Sequence, residues 1–137
     1  MQQHSFVLVI TADYGIYETL KSLLEYGDRK LLHGTSGSAG LIYSQMEQVH
    51  LLIIDRRVTD MEADEIISHF RRREDYASVP VLVMTDSALP AGLGQFQSSD
   101  TFDTLNLPLD EDDVLSKVDC YEEMFLLRSQ TSRRNPW

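Results

Sequence analysis

Leu51-Leu52-Ile53-Ile54-Asp55 is a run of four apolar residues that stops in a carboxylate. Such a run suits a strand buried on both faces, as in the interior of a parallel sheet. An acid at its end lies at the carboxyl edge of the sheet, where open α/β sheets keep their ligands. Asp55 reads either as the start of a turn or helix cap, or as a site residue. The rest of the chain favours the site.

Phe6-Val7-Leu8-Val9-Ile10 reads as a second buried strand, and Val79-Pro80-Val81-Leu82-Val83-Met84 as a third, with Pro80 tolerated at its start. Lys30–His33 and Thr101–Leu105 complete a set of five. Gly34–Ser38 reads as a loop rich in turn residues. Helical spacing separates the strands. Asp13 can cap Ile16, Tyr17, Leu20, Leu23 and Leu24; a short helix carries Ala39, Leu41, Ile42 and Met46. Thr59 and Glu62 fit a capping box opening a helix with Ile66, Ile67 and Phe70. Pro90, Gly92 and Gly94 predict that any helix over Ala88–Ser98 is short or mobile. Asp110-Glu111-Asp112-Asp113 suits the positive end of a long helix, continued by Val114, Leu115, Val118, Tyr121 and Phe125 to about Leu127.

Five strand–helix alternations imply an α/β fold: a flavodoxin-like doubly wound five-stranded parallel sheet, order 2-1-3-4-5, with helices on both faces. In that order strands one and three are neighbours, so the segments after Ile10 and Ile54 meet. Residues 5–128 form one domain on this reading. Residues 129–137 are polar and contain Pro136, and are expected to be a disordered tail.

Composition narrows the function. The chain has 137 residues, 42% hydrophobic, enough for one core. Twelve Lys and Arg against 22 Asp and Glu give −10, which disfavours nucleic acid and anionic membrane as direct partners. Arg71-Arg72-Arg73 is a local exception that suits a helix end. The single Cys120 forbids an intrachain disulfide and fits a reducing cytoplasm. The first five residues do not read as a signal peptide, and no apolar run reaches spanning length. His4, His33, His50 and His69 lack metal-ligand spacing and read as structural or solvent-facing. No P-loop, flavin-binding loop, Ser-His-Asp or Cys-His pattern stands out, so an enzyme is not expected.

Three strand ends converge in this topology: Thr11-Ala12-Asp13, Asp55 and Thr85, with Leu107-Pro108 after the fifth strand. Their order and spacing resemble the receiver domains of bacterial two-component response regulators. The resemblance implies a phosphorelay signalling module with Asp55 as phosphoacceptor and Thr85 as switch hydroxyl. It also implies an Mg²⁺ ion held by Asp55 and an acidic pair, and a lysine that pairs with the phosphoryl group. The acidic-pair positions here hold Thr11 and Ala12, and the lysine position holds Leu107. Thr104 replaces the usual aromatic residue, and Thr59 the usual proline. The resemblance is therefore to an atypical, pseudo-receiver-like variant, impaired in phosphorylation or independent of it. Asp55 and Asp13 are at most a weak Mg²⁺ site. Arg57 is the candidate substitute cation, able to pair with Asp55 or Asp13, while Arg56 reads as solvated. Expected partners are a histidine kinase or another signalling protein, an output domain attached through the last helix, and a second copy of the chain. A constitutive protein-interaction module on the same fold is the alternative.

Overall fold

A computed structural model of the chain describes residues 5–86, 91–96 and 99–134. The strands are β1 (Ser5–Ile10), β2 (Arg29–Gly34), β3 (Val49–Asp55), β4 (Val81–Thr85) and β5 (Phe102–Asn106). They pair in parallel in the order β2-β1-β3-β4-β5. Leu8 lies between Leu32 of β2 and Leu52 of β3, and Asp55 lies opposite Met84 of β4.

Successive strand residues face opposite sides of a sheet, so a strand covered on both sides must be apolar throughout. Leu8, Ile10, Leu52, Ile54, Val81 and Val83 pack on one side with α2 (Gly37–Met46), α3 (Ala63–Phe70) and a 3₁₀ turn at Ala91–Phe96. Val7, Val9, Leu51, Ile53, Leu82 and Met84 pack on the other with α1 (Tyr14–Leu24) and α4 (Glu111–Arg134).

Two caps differ in their history. Asp13 caps α1 as expected, its Oδ1 accepting the Ile16 N–H at 3.1 Å. The box opening α3 does not use Thr59: Glu62 is the N-cap, and its own N–H is held by Glu65 at 3.2 Å. The same spacing fits both pairs. Tertiary structure decides between them, because Asp60 is used elsewhere. Its carboxylate accepts the Gly37 and Ser38 N–H groups at 2.9 and 3.0 Å, joining Ser36 as a cap of α2. Gly37 and Ser38 thus belong to a helix, not to the preceding loop.

β2 and α2 approach so closely that glycine is obligatory. A Cβ on Gly40 would lie 2.4 Å from the Ile10 side chain, and one on Gly34 would lie 2.6 Å from the Gly40 Cα. The Ala91–Phe96 turn agrees with a short element; the rest of that stretch, 88–90 and 97–98, lies outside the described residues. At the other end, α4 remains helical to Arg134. The helix thus overlaps the first six residues of the stretch expected to be a tail. No helix breaker precedes Pro136, and helical propensity carries the backbone past the packed face; residues 135–137 lie outside the described region.

Candidate functional site

β3 delivers Asp55 to the carboxyl edge, where it is 2% exposed. A buried carboxylate must be satisfied or neutralised. Here four donors satisfy it. Oδ1 accepts the Arg57 backbone N–H at 2.9 Å and Nε at 3.0 Å. Oδ2 accepts Arg57 Nη2 at 2.9 Å and the Thr11 hydroxyl at 2.8 Å. Burial alone would raise the Asp55 pKa. The Arg57 side chain, its backbone N–H and the Thr11 hydroxyl outweigh burial and hold it below the ordinary carboxylate value. The bond to Asp55 in turn raises the Arg57 pKa against the opposing effect of burial.

β1 places Thr11 beside this pair because strands one and three are neighbours. Thr11 is fully buried, and its hydroxyl also accepts the Asp13 N–H at 3.0 Å. Its carbonyl lies 2.8 Å from His33 Nε2. A carbonyl only accepts, so Nε2 carries the proton of that bond. The imidazole is stacked on Tyr17 at 4.1 Å and meets the edge of Tyr14 at 5.1 Å. His33 thus has a structural role, as read from the sequence, but one that bears on Thr11. Nothing local marks it; only the 2-1-3 strand order brings the end of β2 to the site.

Arg57 also reaches Asp13, with Nη2 3.6 Å from Oδ2. Both pairings of the substitute-cation reading are therefore present in the geometry. Arg56 is not merely solvated: it lies 3.7 Å from Asp86 in an ion pair. Thr85 is 3% exposed at the end of β4, and its carbonyl accepts the Leu107 N–H at 2.9 Å. Ala12 is exposed, but Leu107 is half-buried against the α1–α4 side of the core. Without a charged head to solvate, the Leu107 side chain packs down. Asp13, Arg57, Asp86 and Leu107 border an open cleft of about 640 Å³. A smaller one of about 250 Å³ is bordered by Ala12, Asp13, Asp55, Arg57 and Val58.

The donor set does not suit Mg²⁺, which needs near-octahedral oxygen ligands. Both Asp55 oxygens are engaged, Ala12 cannot ligate, and the Thr11 hydroxyl points its proton at Asp55. The space between Asp55 and Asp13 is bridged by a guanidinium. Among the described residues no group of three or more His, Cys, Asp or Glu is arranged to hold a metal.

No family model matches the chain, and no curated protein matches it. Solved structures do. The chain is similar to the chemotaxis protein CheY4 of Vibrio cholerae, with 17% identity and a TM-score of 0.77, covering 87% of this chain and 99% of that one. It is similar to the signal receiver domain of an HD domain-containing protein from Pseudomonas fluorescens, with 15% identity, a TM-score of 0.79 and 95% of each chain covered. A CheY-like receiver domain protein from Methanospirillum hungatei matches with 17% identity and a TM-score of 0.79, over 92% of this chain and 99% of that one. At these identities the likeness is one of backbone: the chain has the fold of response-regulator receiver domains.

Proposed function

We propose that the chain is a receiver-type module of two-component signalling in which an internal ion pair stands where other receivers use metal and phosphate. The carrying observation is the complete engagement of Asp55 by Arg57 and Thr11. A carboxylate with four hydrogen bonds is a poor nucleophile, and phosphoryl transfer also needs cations to offset the incoming charge. Arg57 already spends its charge on Asp55 and Asp13. Asp55 is therefore a structural anion here, and the module works by binding rather than by catalysis. Its output does not depend on phosphorylation. Its partners are signalling proteins, among them a kinase or an output domain joined through α4, and it acts in the cytoplasm.

The test is an amide spectrum of the ¹⁵N-labelled chain with Mg²⁺ and beryllofluoride, followed by acetyl phosphate. The expected result is no shift at Asp55 and Thr85 and no acyl phosphate. Ready labelling of Asp55 would overturn the proposal.

A further inference from the structure

α2 is an uncharged helix in a chain of which 25% is charged: Gly37–Met46 contains no Asp, Glu, Lys or Arg. Its outer face carries an apolar stripe. Ile42 is 60% exposed and Met46 69%, one turn apart on a single stripe, with Tyr43 beside them. Beside this stripe a groove of about 260 Å³ runs between α2 and the end of α3. Leu41, Gln45, His69, Phe70, Arg72 and Arg73 border it, and no carboxylate does. The clefts near Asp55 and at the start of β2 each carry two carboxylates. Arg73 is paired with Asp75, so Arg72 gives this groove its net positive charge on an otherwise acidic molecule.

The helix is held firmly by groups other than its exposed stripe. Asp60 fixes its N-terminus. At its C-terminus the buried Tyr76 hydroxyl lies 2.6 Å from the Ser44 carbonyl and 2.7 Å from that of Glu47. Arg73 donates to the Ser44 carbonyl at 2.8 Å, and its guanidinium sits 4.2 Å over the Tyr76 ring, with Asp75 as counter-ion. Ile42 and Met46 take no part in these anchors. Their exposure is therefore not a by-product of folding α2.

We propose that this face docks an acidic amphipathic helix of a partner protein. A groove between two helices receives a third helix through an apolar stripe. Apolar side chains of the partner would cover Ile42 and Met46, and its carboxylates would meet Arg72. Charge selects the occupant. A nucleic acid or a second copy, itself carrying −10, would be repelled by the remaining surface. A short segment meets this uncharged helix and Arg72 rather than the whole acidic surface. The inference is independent of the state of Asp55.

The probe is a 15-residue helical peptide with Leu on one face and Glu elsewhere; its control has Lys for every Glu. The acidic peptide should shift the amides of Leu41–Met46 and His69–Arg73, and the Lys peptide should not. Arg72→Glu should weaken the acidic peptide at least tenfold. Ile42→Ser combined with Met46→Ser should do the same, with the thermal midpoint kept, because none of these side chains anchors α2. Equal binding of both peptides, shifts confined to other faces, or no shift at millimolar peptide would overturn the proposal. So would a concentration-dependent dimer abolished by the Ile42→Ser, Met46→Ser variant, which would assign the face to a second copy.

Discussion

Arg57 is the residue on which the site turns. It supplies three of the four hydrogen bonds to Asp55, one of them from its backbone. Arg57→Ala keeps the backbone bond and removes the rest. Leaving a buried carboxylate short of donors costs about 1–3 kcal/mol, and the value should fall at the low end because Arg57 is 44% exposed. Urea unfolding measures it. The same substitution should raise the Asp55 pKa, read from the side-chain ¹³C carboxyl shift. The sign follows from linkage: the folded pKa is depressed, so the stabilisation is present above the unfolded value of about 3.9 and is lost as pH falls through the folded value. Wild type should thus show an acid-stability loss that Arg57→Ala largely removes. Gaining Mg²⁺ affinity needs more than new ligands. Ala12→Asp with Leu107→Lys leaves the guanidinium in place, and replacing the half-buried Leu107 side chain sacrifices packing. Millimolar Mg²⁺ binding should appear only when Arg57→Ala is added, as amide shifts around Asp55 in an Mg²⁺ titration.

At the scale of the element, α2 depends on close approach to β1 and β2. Gly40→Ala would drive a methyl group to 2.4 Å from the fully buried Ile10 side chain. Overpacking of this kind costs about 1–3 kcal/mol, and Gly34→Ala should cost more, because its Cβ meets backbone. Denaturation midpoints of the two variants test the ranking. α4 is a different kind of element. Its head packs against the sheet through Val114 and Val118, and its later turns combine packing by Tyr121 and Phe125 with polar clamps. Arg29 is 8% exposed and binds Glu122 at 2.9 Å and Asp119 at 3.0 Å. Arg128 pairs with Asp100 on the other side. Arg29→Ala would take two hydrogen bonds from Glu122, which is 9% exposed, at a cost of about 1–3 kcal/mol. Hydrogen exchange should then quicken in the second half of α4. Replacing both partners by Met and Leu should restore most of the stability.

At the scale of the molecule, the two ends of the sheet respond to acid for different reasons. At the amino end, His50 packs near Phe125 of α4, with ring centroids 5.7 Å apart. Its Nδ1 is buried without a hydrogen-bond partner among the described residues. Burial lowers its pKa, against a weaker opposing pull from Glu122. The charged form is therefore disfavoured in the fold. The unfolded chain takes up a proton first, so stability should fall as pH drops below about 6.5. His50→Phe should flatten that part of the stability profile while leaving the loss at lower pH due to Asp55. Two separate acid transitions in wild type, each removed by its own substitution, are the expected pattern. No described helix is long and apolar enough to cross a membrane.

The five strands, their order and the place of Asp55 were legible in the sequence, because a parallel sheet needs continuous apolar runs and right-handed crossovers leave few topologies. Arg57 was legible too: two residues after a strand-end acid, a side chain can fold back on it. Thr11 was legible as a position only. Its hydroxyl acquires a partner because β1 and β3 are adjacent, a contact 44 residues apart in the chain. Tertiary structure alone decided where α3 begins, since Asp60 had to be drawn to α2 before Glu62 became the cap. It alone set His33 on the Thr11 carbonyl, packed Leu107 half-buried against the core and extended α4. Local patterns specify elements through their periodicity and caps. Which polar group satisfies which is settled only when distant strand ends share one dry edge, where every unpaired donor or acceptor is costly.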